Sequence, residues 1–297
     1  MKKLICFFIL IQTLISCSDT YNSLKRENLY GNVKQITETT YEAEFKFGEA
    51  KKGILKDKKV LKYDENGNRT GQDEFDAEGN VGFKESYKYK NDKLIEDVTY
   101  RQNEIWLKVN YKYNNKGYKI LENRYSVLTF LCGKRTFKYD DSGNKIEENR
   151  YNSKGILEAK IIFSFNKKGD NIEECIYNAD GSLNLRRTYK YDDRGNKIET
   201  KGYNKDGVLE VTGTCEYDDK GNKIGRNLYG AKGELISSEI FKYDERENLT
   251  FKSDENKIEN TKIEYQYEFD ETGNWIKKIK VLNDIPIIII QRIIKYY

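Results

Sequence analysis

An aromatic residue that leads a Gly-containing turn recurs every 26 residues, as from Tyr113 to Tyr139. One step is shorter, at 24 residues from Tyr89 to Tyr113. A fixed period of this length is typical of repeat proteins, in which each unit buries its apolar face only against its neighbours. The full series is Tyr63, Tyr89, Tyr113, Tyr139, Phe165, Tyr191, Tyr217, Tyr243 and Phe269.

Each unit contains two turn signals, such as residues 140–143 (DDSG) and 152–155 (NSKG). An Asx residue first and Gly fourth favour a type I turn followed by a left-handed residue, which closes a hairpin with a G1 bulge. Strands of about eight and ten residues fit between successive turns. This spacing predicts an antiparallel meander in which Tyr139 faces Asn144 across the first turn. That register puts Phe137, Ile146 and Ile161 opposite one another on an apolar face, with Lys145 on the wet face.

The number of strands constrains the shape of the sheet. About 18 to 20 strands would make a flat sheet about 90 Å wide, and open sheets beyond about ten strands curl or split. We therefore expect an all-β fold in which the repeats curl into a single-layer coiled sheet or shell. A closed barrel or a sandwich is the alternative.

Two regions depart from the repeat. A lysine-rich insertion is expected at about residues 42–60 of the repeat domain, which spans residues 30–297. Residues 285–297 form an isoleucine-rich run that predicts a capping strand buried on both faces, because an exposed strand so apolar would aggregate.

The N-terminus has the pattern of a secretory signal over residues 1–16, with a basic start and an apolar core too short to span a bilayer. Residues 14–17 (LISC) resemble the lipobox of bacterial lipoproteins, in which the cysteine is diacylated. We expect Cys17 to carry the lipid and residues 17–29 to form a linker, although an ordinary signal with Cys17 incidental is the alternative. More than one acyl chain gives stable anchoring. The expected location is a bacterial membrane reached by secretion across the inner membrane, with the outer membrane or cell surface favoured.

The recurrent Tyr-Asp-x-x-Gly-Asn resembles the YD repeats of RHS-type proteins. The resemblance covers about residues 61–274, and more loosely 30–297. It implies a spiral β-sheet shell with roles in encapsulation, adhesion or carbohydrate binding. The period of 26 is longer than is typical of that family, and no toxin domain is recognisable. The matching positions are Tyr63/Asp64, Tyr139/Asp140, Tyr191/Asp192, Tyr217/Asp218 and Tyr243/Asp244.

Composition excludes several functional classes. The chain has no histidine, which removes imidazole bases and His-containing metal sites. Acidic residues recur at equivalent repeat positions, whereas a catalytic carboxylate pair should break the symmetry. The Asp-Asp-x-Gly-Asn turns lack the spacing of a calcium loop. We expect no enzyme activity, no cofactor and no metal.

The charge pattern argues against a nucleic-acid partner, and the number of cysteines argues against a disulfide framework. The formal net charge is +4, and loss of Lys2 and Lys3 would leave +2. Cations and acids are interleaved, which argues against a nucleic-acid partner. Cys132, Cys175 and Cys215 are an odd number, so a disulfide framework is not expected, although one bond among them stays open.

A second aromatic position stands beside the second turn, on the otherwise polar face. Such rings suit stacking on sugars or packing at a protein interface. A cross-strand ladder that stiffens the sheet is the alternative. The candidate ligand-contact residues are Phe75, Tyr125, Tyr151, Tyr177, Tyr203 and Tyr229.

These patterns favour a lipid-anchored, non-catalytic binding module for a glycan or an envelope protein. The alternatives are a structural envelope scaffold and an RHS-like accessory or immunity factor of a toxin system.

Overall fold

The computed structural model describes residues 23–126, 130–256 and 260–297. One short helix, α1 (Ser23–Arg26), precedes the strands. The strands are β1 (Val33–Lys46), β2 (Glu49–Tyr63), β3 (Arg69–Asp76), β4 (Val81–Lys90), β5 (Lys93–Arg101), β6 (Glu104–Tyr113), β7 (Lys119–Ser126), β8 (Phe130–Tyr139), β9 (Lys145–Asn152), β10 (Leu157–Phe165), β11 (Asn171–Asn178), β12 (Leu183–Tyr191), β13 (Lys197–Tyr203), β14 (Leu209–Tyr217), β15 (Lys223–Gly230), β16 (Leu235–Tyr243), β17 (Leu249–Asn256), β18 (Asn260–Phe269), β19 (Trp275–Leu282) and β20 (Ile285–Tyr296).

The strands form one closed antiparallel barrel. Each strand pairs with the next in sequence, and β20 pairs with both β19 and β1 in a 20-stranded sheet. At the closing seam Ile36 lies opposite Ile294, and Glu38 lies opposite Arg292. The predicted all-β meander is confirmed. Of the predicted shapes, the structure has the closed barrel, which was the alternative to the open coiled sheet. The barrel closes because β20 pairs with the free edge of β1.

The first turn of each unit has the predicted geometry. In the unit of Tyr139, the Gly143 amide donates to the Asp140 carbonyl at 3.1 Å, and Gly143 has a φ of 89°. The Asn144 amide donates to Asp140 Oδ1 at 2.8 Å, and Asn144 Nδ2 donates to Oδ2 at 2.9 Å. These bonds explain why Asp and Asn bracket the turn.

A β-bulge follows this turn and changes the predicted register. Tyr139 pairs with Lys145 while Lys138 pairs with Glu147, so one extra residue lies between them. Tyr139 also pairs with Lys145 where the sequence predicted Asn144. The two shifts together place Phe137 opposite Glu148, and the prediction that Ile146 takes this place is wrong.

The bulge also changes the position of Lys145. Its ammonium lies 3.1 Å from Glu148 Oε2 and 4.6 Å from the centre of the Phe163 ring. Phe163 is buried and belongs to the inner face. Lys145 is thus on the inner face, and the prediction that it points to the wet face is wrong.

In four units the Tyr that ends an even-numbered strand binds the preceding repeat. The hydroxyl of Tyr191 donates to the Asn171 carbonyl at 2.7 Å, and that of Tyr217 donates to the Lys197 carbonyl at 3.0 Å. Each acceptor lies at the bulge of the preceding unit. The hydroxyl therefore pairs a backbone carbonyl where the strand ladder is interrupted.

The inner wall is only partly apolar. Aromatic residues of the even strands alternate with polar residues of the odd strands, among them Glu122, Glu148 and Glu174, which are 4–5% exposed. Each of these glutamates has an Arg partner; for example, Arg187 Nη1 lies 3.0 Å from Glu174 Oε1. The prediction of a wholly apolar face is wrong because a barrel with this many strands is too wide for its side chains to fill.

The segment before β1 packs on the barrel end that carries the first turns. The Leu24 amide donates to the Gly67 carbonyl at 3.1 Å, and Asn274 exchanges two 2.8 Å hydrogen bonds with the backbone of Tyr30. Residues 23–29, which the sequence assigns to a linker, therefore belong to the folded body. The apolar cluster here comprises Leu24, Leu29, Val33, Ile36, Leu61 and Tyr63.

The two irregular regions lie on either side of the closing seam. The insertion is the far end of the β1–β2 hairpin: β1 pairs with β20 as far as Glu42, and β2 meets β3 from Asp57. Residues between these positions pair only within the hairpin, and Phe47 at its tip is 96% exposed. Ile293 is 66% exposed, so the predicted burial of the last strand on both faces is wrong; β20 closes the sheet from its edge.

The predicted signal (1–16) and Cys17 lie outside the described residues. Across the described ranges, no helix is long and apolar enough to cross a membrane.

One turn tests the need for a left-handed residue. Glu247 has a φ of 64° at the position where units such as those of Tyr139 and Tyr191 place Gly. Replacing Glu247 with Gly should raise the free energy of unfolding by about 1 kcal/mol, because only Gly adopts this conformation without strain. Gly195→Ala should lower it by a similar amount, since open space surrounds Gly195 and only backbone strain is added. Urea unfolding measures both; equal stability of Glu247→Gly and wild type would contradict this explanation of the turn.

Candidate binding surface on the outer wall

A row of aromatic residues runs along the outer wall near the second turns, on the odd-numbered strands from β3 to β15. Each ring is half-buried and follows a buried or inward residue on its strand, as Tyr151 follows Arg150. We call this set the outer belt: Phe75, Tyr100, Tyr125, Tyr151, Tyr177, Tyr203 and Tyr229. All six residues singled out in the sequence lie in it.

Tyr100 is the member that sequence reasoning missed. It stands 11 residues after Tyr89, whereas Tyr151 stands 12 after Tyr139, because the intervening turn is shorter. That turn has Asn91 and Asp92 at φ values of 50° and 57°. Two successive left-handed residues form a two-residue hairpin loop, and Asn-Asp was the available signal.

A cation stands beside most rings of the belt. The direct partner of each ring on the preceding strand is Lys or Arg for every member except Tyr229, which faces Thr212. The Lys134 ammonium lies 5.2 Å from the centre of the Tyr151 ring, a distance that suits a cation–π contact. Three further pairs are Lys58 with Phe75 at 5.5 Å, Lys84 with Tyr100 at 5.8 Å, and Arg186 with Tyr203 at 5.1 Å.

An aliphatic residue stands on the other side of each ring. Tyr151 pairs with Leu157 on the following strand, and Tyr203 pairs with Leu209. Every ring except Tyr229 is therefore set between a cation and an apolar side chain. Neighbours on both sides of each ring are compatible with the stiffening role as well as with ligand contact, so both interpretations of the sequence stay predictions.

Ion pairs divide the cations of the belt into two groups. Glu147 accepts from both Lys138 at 2.8 Å and Lys160 at 3.2 Å, so Lys160 is neutralised. Lys108 is bound in the same way by Glu96 at 2.6 Å. The second group has no carboxylate within 4 Å among the described residues, and it comprises Lys58, Lys84 and Lys134.

These contacts also set the ionisation of Glu147. Burial raises the pKa of its carboxyl, but hydrogen bonds from Lys138, Asn149 and Lys160 outweigh burial and lower the pKa to about 2. The charged form of Glu147 therefore stabilises the folded wall below the belt.

Chemically, the belt offers flat apolar surfaces and fixed positive charges. Stacking and charge pairing are therefore the interactions that this surface can supply to a ligand.

The three cysteines of the described chain, Cys132, Cys175 and Cys215, form no disulfide bond.

Comparisons with known proteins identify only distant similarity. No protein-family model and no curated protein matches the chain. The solved structure of TcdB2-TccC3-Cdc42 is 12% identical with a TM-score of 0.35, and the match covers 82% of this chain and 16% of that chain. A porin-like protein from Bacteroides uniformis is 10% identical with a TM-score of 0.37, and the match covers 89% and 98%. Membership of the RHS/YD-repeat family stays a prediction.

The ion pairs of Glu147 predict a pH-dependent contribution to stability. Glu147→Gln should lower the free energy of unfolding at pH 7 by about 1 kcal/mol, a value reduced for the exposure of the lysines. Because the folded pKa of about 2 lies below the ordinary value of 4.5, this contribution is complete above pH 4.5 and is lost as the pH falls toward 2.

Urea unfolding of the variant and of wild type at pH 7 and pH 3 measures the difference. We expect it to shrink by about half at pH 3. Glu158→Gln, at an exposed position of the neighbouring strand, should leave stability unchanged. A pH-independent difference for Glu147→Gln would refute the electrostatic explanation.

Proposed function

We propose that this chain is a non-catalytic binding module that takes an extended glycan along its outer belt. The observation that carries the proposal is the repetition of one ring-and-cation unit on every second strand. Two strand spacings separate neighbouring units by about 10 Å. A polymer lying across the strands can then occupy several units at once, and weak contacts add to a useful affinity.

The chemistry of the unit favours a sugar that carries acidic groups. Tyr presents an apolar ring and a polar hydroxyl, a combination that suits the faces and edges of sugar rings. Lys58, Lys84 and Lys134 add positive charge that no carboxylate of the described chain neutralises. Carboxylate or sulfate groups on the polymer would pair with them.

The outer wall supports an aqueous setting for the belt. Lys88, Lys138 and Lys190 lie on this wall, each with a side chain that is 67–68% exposed. A wall that faces lipid carries an apolar band instead. We therefore propose that attachment to the envelope comes from lipid on Cys17 and not from the wall.

The length of the chain after Cys17 would orient the belt. Six residue steps separate Cys17 from Ser23, which limits the reach to about 20 Å. Ser23 lies at the end of the barrel that carries the first turns, where its hydroxyl accepts a hydrogen bond from the Arg69 amide. The belt lies near the opposite end, so a lipid on Cys17 would direct the belt away from the membrane.

A structural scaffold is the second candidate, and the setting of the rings favours it. A ring held between Lys134 and Leu157 can stiffen the sheet without any ligand.

Replacing Tyr151, Tyr177 and Tyr203 together with Ala separates the two functions. The purified full chain in detergent is tested against an array of neutral and acidic oligosaccharides, and affinity for the best acidic sugar is then measured by titration calorimetry. We expect the triple variant to lose binding at least tenfold while its melting temperature falls by only a few degrees, because the rings are half-buried.

The control variant replaces Thr136, Thr188 and Thr214 with Ala, which are outward residues at mid-wall. It should bind as wild type does. Absence of binding by wild type to every sugar, together with a collapse in stability of the Tyr variant, would reject the binding role and favour the scaffold.

A further inference from the structure

The inner wall carries a cluster of cations on strands β7, β8 and β9. Arg135 and Arg150 lie directly opposite each other, and Arg124 lies one strand further, opposite Gly133. Like charges in directly opposite positions repel and destabilise a sheet unless an anion neutralises them. An anion close to Arg135 and Arg150 would therefore stabilise this part of the wall.

Two glutamates supply only part of that charge. Glu122 accepts from Arg124 Nε and Glu148 accepts from Arg150 Nε, each at 2.8 Å. Both carboxylates are buried, with side chains that are 6–7% exposed, so they form the floor of the cluster. Arg135 reaches Glu122 only at 3.8 Å.

Two lysines increase the excess of positive charge. Lys145 lies 3.1 Å from Glu148, and Lys119 lies 3.8 Å from Glu122. Asp97 also acts electrostatically on Arg124. Counted with Arg124, Arg135 and Arg150, five cations face three carboxylates, which leaves a formal excess of two positive charges. Burial lowers the pKa of the Arg135 guanidinium, and repulsion by Arg124 and Arg150 acts in the same direction.

The cluster has donors and space for a further anion. Among the described residues, Arg124 and Arg150 each donate a hydrogen bond to a glutamate from Nε, which leaves their terminal nitrogens available to a further acceptor. The side chains of the three arginines are 31–39% exposed, so solvent reaches them. Their neighbours toward the second turns are Gly133 and Ala159, which leave room above the guanidinium groups.

We propose that Arg124, Arg135 and Arg150 form a binding site inside the barrel for a compact oxyanion with two or more negative charges, such as a phosphate. Planar guanidinium groups bind the oxygens of phosphate through paired N–H donors, which a single ammonium cannot do. The site lies on the opposite side of the wall from the outer belt and does not depend on glycan binding. The anion is either free or carried as an ester.

Thermal unfolding of the purified full chain tests this site. Inorganic phosphate at constant ionic strength, with chloride as the reference, should raise the melting temperature by about 2–4 °C, because a ligand that binds only the folded state stabilises it. The same unfolding measurement is repeated with glycerol phosphate, which carries the phosphate as an ester. A shift with both compounds would assign the site to phosphate esters as well as to the free anion, and a shift with inorganic phosphate alone would assign it to the free anion.

Arg135→Met is the decisive variant. It should abolish the phosphate shift, and in chloride it should melt at or above the wild-type temperature because one repulsive charge is removed. Lys112→Met, which removes an exposed cation from the neighbouring strand β6, should retain the full shift. Absence of a wild-type shift, an equal shift in Arg135→Met, or a strongly lowered melting temperature of Arg135→Met in chloride would each overturn the proposal.

Discussion

The pairing of β1 with β20 closes the sheet into a barrel, so the two faces of the sheet have different surroundings. An open meander of this length could expose both faces, but closure makes one face the inner wall of the barrel and the other its outer wall. The seam is held by apolar pairs such as Ile36 with Ile294 and by the ion pair of Arg292 with Glu38 at 2.6 Å. Packing of Leu24 and Leu29 at the same end adds a buried apolar cluster. The outer belt and the inner arginine cluster both depend on this separation.

Within the wall, a one-residue bulge decides which charges face inward. It brings Lys145 to the inner face beside Glu148, and it leaves a carbonyl that the Tyr hydroxyl of the next repeat can bind. The repeated Tyr of the sequence period thus contributes a hydrogen bond between neighbouring repeats, in addition to its place before the hairpin turn. Because the same pattern recurs on successive odd strands, glutamates follow one another along the inner wall at Glu122, Glu148 and Glu174.

Local chemistry explains what could be predicted from the sequence. The Asp-x-x-Gly-Asn turns act over five residues, so their hairpins and left-handed glycines followed from the pattern. The G1 bulge of the turn is part of that pattern, but the second bulge, at Ile146, has no composition signal of its own. Ile146 was misplaced because this bulge and the pairing of Tyr139 with Lys145 each shift the register by one residue. Closure depends on contacts between the two ends of the chain, which a repeat pattern does not encode. The opposition of Arg135 and Arg150 became visible only when the register was known.

Closure of the barrel is tested most directly by a designed disulfide across the seam. Thr37 and Ile293 are partners in register on the outer wall, so cysteines at both positions lie within bonding distance in the closed form. In a background with Cys132, Cys175 and Cys215 replaced by Ser, oxidation and peptide mass spectrometry should detect a near-complete cross-link with no loss in melting temperature. The pair Thr37→Cys with Thr136→Cys, which lies far around the wall, should not cross-link. A folded Thr37→Cys/Ile293→Cys protein that fails to form the bond would show that the sheet is open and would contradict this account.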